Sequence, residues 1–122
     1  MITGVIFALA MSTMTGCRPA DRKLKEDVEK IADVMCRSIE VMNKLKAADP
    51  ADSVMVTNLQ AEEQKIQTEM DVQYREFRER HAKELQEPEF NKKFSNYLRK
   101  AMLDCKYLSK EDRENFEREI EK

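Results

Sequence analysis

Glycine is almost missing from this chain. The 122 residues hold two, Gly4 and Gly16, and none follows. Phosphate-binding loops, tight I′ hairpin turns and nucleophile elbows all need a residue that reaches positive φ or lets another backbone come close. From residue 17 onward the sequence therefore argues against nucleotide-binding and hydrolase folds, and for long helices joined by short turns. Tryptophan is absent and histidine occurs once, as His81. A di-iron bundle needs paired Glu-x-x-His motifs, and the residue three before His81 is Arg78. A zinc site would want a Cys/His cluster, and none is present. No block of like charge exceeds a few residues. With 22 basic and 24 acidic side chains the net charge is only −2, so no nucleic-acid stripe or acidic tail stands out. Nor is there an alternating run of useful length: "SVMVTNL" is the one strand candidate, and it abuts a helical pattern.

What is present is helical periodicity. Leu24, Val28, Ile31, Met35, Ile39, Met42 and Leu45 recur every three or four residues and predict a helix over about 21–47. Glu26–Lys30 and Glu40–Lys44 are spaced as i,i+4 pairs on its exposed side. "AADPADS" breaks the pattern, with Asp49 placed to cap a second helix and Pro50 at its first position. That helix is expected over 50–87, with Leu59, Ile66, Met70, Phe77 and either Tyr74 or His81 turned inward. Asp71–Arg75, Glu76–Arg80 and Glu79–Lys83 are spaced to lace its surface. "QEPEF" makes the second break. Pro88 and Glu89 suit a helix N-terminus, and Phe90, Phe94, Tyr97, Leu98, Ala101, Met102, Cys105 and Leu108 form the richest apolar stripe. Ser109 followed by Asp112 resembles a capping box and opens a short charged helix carrying Phe116 and Ile120. The predicted fold is all-α: a small up-down-up bundle of long antiparallel helices with a short C-terminal helix.

The first sixteen residues differ from the rest. They carry no charge and centre on the apolar run Val5–Met11. As a helix they would span only ~24 Å, short of the ~30 Å bilayer core, which suits a cleaved secretory signal rather than a spanning segment. Met14-Thr15-Gly16-Cys17 resembles the lipobox of bacterial lipoproteins. The resemblance implies cleavage before Cys17 and acylation of that cysteine, which becomes the lipid-bearing N-terminus. The expected domains are then a signal peptide at 1–16, a tether at 17–23 and a helical-bundle domain at 24–122. Arg18 follows the cysteine, and lipoproteins retained at the inner membrane tend to carry Asp there, so the resemblance leans toward the outer membrane.

Cys36 and Cys105 remain as an even pair. If the signal assignment holds, an oxidising compartment favours a disulfide between them; if it fails, two separate buried thiols are expected. Loop entropy credits such a bridge with roughly 4 kcal/mol. Straight helices of the predicted lengths leave the two cysteines roughly 10 Å apart in height. A bridge needs Cα atoms within about 7 Å, so it requires a bent or shortened second helix, or one that starts late, near Ser53.

Two further groups bear on function. Met35, Met42, Met55, Met70 and Met102 lack the clustered spacing of a copper site and are expected to fill the core. The aromatics Phe90, Phe94, Tyr97, Tyr107 and Phe116 are expected mainly in the core, with an interface role as the alternative. Together these features predict a non-enzymatic, lipid-anchored envelope protein facing the periplasm, acting as a binding or scaffold module. It would need no cofactor, metal or nucleic acid. Its partners would be membrane lipid through Cys17, an envelope protein, and a second copy as a further option. The alternative is a periplasmic chaperone-like or metal-holding helical protein.

Overall fold

The computed structural model describes residues 19–120. The segment 1–16 and Cys17, expected as signal peptide and lipid attachment site, lie outside the described residues. Within them the chain forms four α-helices: α1 (Pro19–Ala47), α2 (Ser53–Arg80), α3 (Pro88–Met102) and α4 (Lys110–Glu119), with a single 3₁₀ turn at Glu84–Gln86 before α3. No strand occurs among the described residues, and the segment "SVMVTNL" is the start of α2. None of these helices is long and apolar enough to cross a membrane.

α1 and α2 pack antiparallel, and α3 returns alongside α1 in the same direction as α1. The direct evidence for the parallel course is the order of contacts along the pair. Asp21 meets Lys93, Lys25 lies over Tyr97, and Cys36 is joined to Cys105. The predicted up-down-up bundle with a short fourth helix is therefore the observed fold. α1 is its central helix and is buried on more than one side. Leu24, Val28 and Ile31 face the aromatic-rich start of α3 together with Phe77 of α2. Val34 and Val41 meet Ile66 of α2 in a second cluster. Ala32 joins Met102, Cys105 and Leu108 in a third. Each fully buried Leu, Val or Ile contributes roughly 1.5–3 kcal/mol through apolar area withdrawn from water.

Helix boundaries follow from caps. α2 begins three residues later than Pro50, because the Asp52 carboxylate, not Asp49, accepts from the Met55 N–H at 3.1 Å. Asp49 instead closes a local turn by accepting from the Ala51 N–H. α2 also ends early, at Arg80, with His81–Lys83 in turn and the 3₁₀ step carrying the chain to Pro88. Pro88 opens α3, as its fixed φ and missing N–H suit. α3 stops at Met102, so Cys105 and Leu108, read as its last turns, are buried in a non-helical loop. Arg113 secures that loop by donating to the carbonyls of Leu103 and Cys105. Ser109 caps α4, its hydroxyl accepting from the Asp112 N–H at 3.1 Å.

The methionine expectation holds only in part. Met102 is buried and Met35 and Met70 pack against the core, but Met42 and Met55 are about half exposed, at 46% and 49%. The reason is length. α3 ends near the level of Cys36, so the far end of the α1–α2 hairpin has no third helix to cover it. The aromatic set packs against the core while staying partly exposed: Phe90, Phe94 and Tyr97 on the first cluster, Tyr107 and Phe116 on the third.

Candidate functional site

The most unusual local chemistry lies where the N-terminal half of α1 meets the C-terminal end of α2. Asp27 is only 1% exposed, yet it is a carboxylate amid Leu24, Val28 and Ile31. A charge in that position survives only with partners. Three are at hand. Arg80 forks onto it, with Nε 3.1 Å from Oδ2 and Nη2 2.9 Å from Oδ1. His81 Nε2 lies 2.7 Å from Oδ2. Lys23, one turn back on α1, brings its Nζ to 4.0 Å of Oδ1. Burial alone would push the Asp27 carboxyl up. The hydrogen bonds from Arg80 and His81 and the charges of Arg80 and Lys23 outweigh it and hold the carboxyl below its ordinary value.

His81 is itself buried, at 5% exposure. Its ring is tilted against Phe77, with centroids 4.8 Å apart, and against Phe90, at 5.4 Å. Phe77 in turn meets Phe94 at 4.8 Å. His81, offered with Tyr74 as an inward-turning residue of the second helix, is buried and stacked, because α2 ends at Arg80 and the ring packs against the start of α3. The surface pair expected between Glu76 and Arg80 gives way to Arg80–Asp27, a contact across 53 residues.

Above this cluster is an open groove of about 400 Å³ between the starts of α1 and α3 and the end of α2. Lys23 and Asp21 line it from α1, Glu84 and Glu87 from the turn, and Phe90 and Lys93 from α3. Its cations are engaged within the chain: Arg80 and Lys23 with Asp27, and Lys93 with Asp21 at 3.5 Å. Glu84 and Glu87 form no ion pair among the described residues. The groove lining holds no hydroxyl or thiol that could act as a nucleophile. Among the described residues no three His, Cys, Asp or Glu side chains are grouped to hold a metal ion. What this arrangement can do, on the geometry present, is lock α1 to the α2–α3 turn through a buried ionic cluster.

The second feature is the cystine. Cys36 of α1 and Cys105 of the loop after α3 are joined, with Cα atoms 5.7 Å apart across 69 residues. Of the sequence-predicted site residues these two are brought together. The height mismatch expected for straight helices is removed at both ends of α2, by the late start at Ser53 and still more by the early end at Arg80, which make α2 (28 residues) and α1 (29 residues) nearly equal in length. α3 then starts level with the beginning of α1, and Cys105 arrives level with Cys36.

Asp27 and Arg80 were not singled out from the sequence. A signal existed: Asp27 stands three residues after Leu24 and four before Ile31, inside the apolar stripe. Comparison with known protein families, with characterised proteins and with solved structures finds no match to this chain.

Proposed function

We propose that this chain is a lipid-anchored protein of the bacterial cell envelope, facing the periplasm, that works by binding as a non-catalytic scaffold module. The observation that carries the reading is the Cys36–Cys105 bond. Cystines persist in oxidising compartments and are rare in the reducing cytosol. The bond agrees with the apolar run that ends in Met14-Thr15-Gly16-Cys17, since a chain exported by that signal would mature where disulfides form. α1 starts at Pro19, inside the stretch expected as a tether, so an acylated Cys17 would hold the bundle close to the bilayer. Two acyl chains suffice for stable anchoring, at about 0.8 kcal/mol per buried CH₂.

The binding role draws on what the surface offers. The end of the α1–α2 hairpin leaves Met42, Val54 and Met55 exposed, and the grooves along the bundle are open and shallow. The test is the intact mass of the protein from native membranes, with and without reductant. The expected result is an N-terminus at diacylated or triacylated Cys17 and no thiol free to react before reduction. An intact Met1 with Cys36 and Cys105 both reactive would overturn the anchor and the compartment together. Crosslinking in cells then addresses the binding role: one stoichiometric partner supports a scaffold, whereas many clients point to a chaperone.

A further inference from the structure

The cystine is not sealed inside the core. A hollow of about 260 Å³ opens beside it, and both cysteines line it. Cys36 is partly exposed, whereas Cys105 is buried at 5%. The side of the bond open to an entering thiolate is therefore Cys36. The rest of the lining is Ala32 and Ala101, which add little bulk, and three carboxylates, Glu29, Asp33 and Asp104. All three are exposed. Asp33 has Arg37 at 3.4 Å, while Glu29 and Asp104 form no ion pair among the described residues. No Lys or Arg among the described residues lines this hollow. The cations next to the cysteines in sequence are turned to other partners. Arg37 reaches Glu69 at 2.7 Å as well as Asp33, and Lys106 lies over the Tyr107 ring at 5.2 Å. Lys25 and Lys100 line the neighbouring hollow. The approach to the bond is acidic.

What the bond holds is a lid made of the 103–109 loop and α4. Cys105 and Leu108 cover Ala32 and Met102, and Tyr107 and Phe116 pack over the same cluster together with Ile39 of α1. Asn43 of α1 adds a hydrogen bond to the Tyr107 carbonyl at 3.2 Å, which is exposed. Other ties of the lid do not reach α1. Arg113 donates to the carbonyls of Leu103 and Cys105, inside the lid, and Arg99 of α3 pairs with Glu119 at 3.3 Å. α4 has no fully buried side chain. With the bond cut, the lid stays on α1 only through apolar packing and exposed polar contacts.

We propose that the Cys36–Cys105 bond is a redox switch whose acidic approach selects the reductant. The reductant is a dithiol without negative charge. Its thiolate attacks Cys36 Sγ, the Sγ–Sγ bond breaks, and the electron pair leaves on Cys105 Sγ, which takes up a proton. The second thiol of the reductant loses its proton and attacks the mixed disulfide. That step frees Cys36, which is protonated in turn, and closes the reductant's own disulfide. Two electrons pass from reductant to cystine, and the atoms balance. Anionic thiols such as glutathione are held back by Glu29, Asp33 and Asp104, since like charges in a hollow with low-dielectric walls lower the local concentration of the attacking ion. Once freed, the lid lifts from α1 and uncovers Ala32 and Ile39, one turn from the exposed Met42. The switch needs only the bond and its surroundings, not the lipid anchor.

The test is the rate of reduction of the full chain in non-ionic detergent by three probes: anionic glutathione, neutral dithiothreitol and cationic cysteamine. Each rate is expressed per thiolate and divided by the rate of the same thiol on a small neutral disulfide, which removes differences in intrinsic nucleophilicity. Dithiothreitol is expected to reduce the bond without denaturant. The relative rate of cysteamine is expected to exceed that of glutathione about tenfold. The gap should narrow in E29Q/D104N, and in the unmodified chain as salt is raised. Circular dichroism checks that the variant folds, and the salt series tests the same charges without substitution. In the reduced chain, hydrogen exchange over 103–119 is expected to rise about tenfold or more, while the amides around Val34, Val41 and Ile66 keep their protection. A bond that yields to dithiothreitol only in denaturant would overturn the switch. So would a reduced chain whose exchange over 103–119 is unchanged. Equal relative rates for the three thiols, or a gap indifferent to both salt and E29Q/D104N, would overturn the selection by charge.

Discussion

At the scale of single residues, Asp27 has the largest leverage for its size. Its carboxylate is withdrawn from water and held by Arg80 and His81, two residues that are neighbours in the chain but distant from it. Removing one member of a buried pair leaves the others uncompensated, typically at 3–5 kcal/mol, so Asp27→Ala is expected to destabilise the fold by about 3 kcal/mol in urea melts. The pH dependence follows from the sign of the shift. The folded carboxyl lies below its ordinary value, so its contribution is fully present above the unfolded value near 4 and is lost as pH falls through the lower, folded one. Asp27→Asn removes that titration. Its stability should therefore change less with pH below about 4 than that of the wild type, and identical acid limbs in the two proteins would contradict the assignment. Phe77 is the apolar counterpart, 2% exposed and in ring contact with His81, Phe90 and Phe94. Phe77→Ala should cost about 3–5 kcal/mol, because the cavity opens where three elements meet.

At the scale of elements, capping decides where helices start, and the starts decide what meets what. Asp52 opens α2 and Ser109 opens α4. Asp52→Ala and Ser109→Ala should each cost about 1 kcal/mol. Their local effects should differ. Hydrogen exchange in Ser109→Ala is expected to rise in α4 while α1 and α2 keep their protection, since α4 is ten residues long and has no fully buried side chain. Equal loss of protection throughout the chain would show instead that α4 folds as one unit with the rest. Much at this scale was legible in the sequence. The apolar spacing marked all four helices, Pro88 marked the start of α3, and Ser109 marked α4. The start of α2 was placed three residues early because Asp49-Pro50 and Asp52-Ser53 both offer capping chemistry, and only packing selects between them.

At the scale of the whole molecule, α1 is shared by every core cluster. The 103–109 loop is tied to it by the cystine, by apolar packing and by the hydrogen bond from Asn43 to the Tyr107 carbonyl. Replacing both cysteines with serine, or reducing the bond, should lower stability by about 2–4 kcal/mol. The loss would be read as a shift in the urea midpoint between oxidised and reduced protein. The loop and α4 should loosen first, with α1 and α2 still packed through Val34, Val41 and Ile66. No difference between the oxidised and reduced proteins would mean that packing alone holds the loop in place.

The sequence by itself determined the helical class, the number of helices, the positions of the breaks within a few residues, and an even pair of cysteines. All of these follow from side-chain periodicity and capping, which act over one or two turns. The tertiary structure decided that Asp27 meets Arg80 and His81, that Cys36 and Cys105 arrive at one height, and that Met42 and Met55 stay exposed. Those outcomes depend on how far each helix runs before the chain turns. The late start and early end of α2 together shorten it by ~15 Å against the span its periodicity predicts, which is enough to decide whether two distant side chains touch.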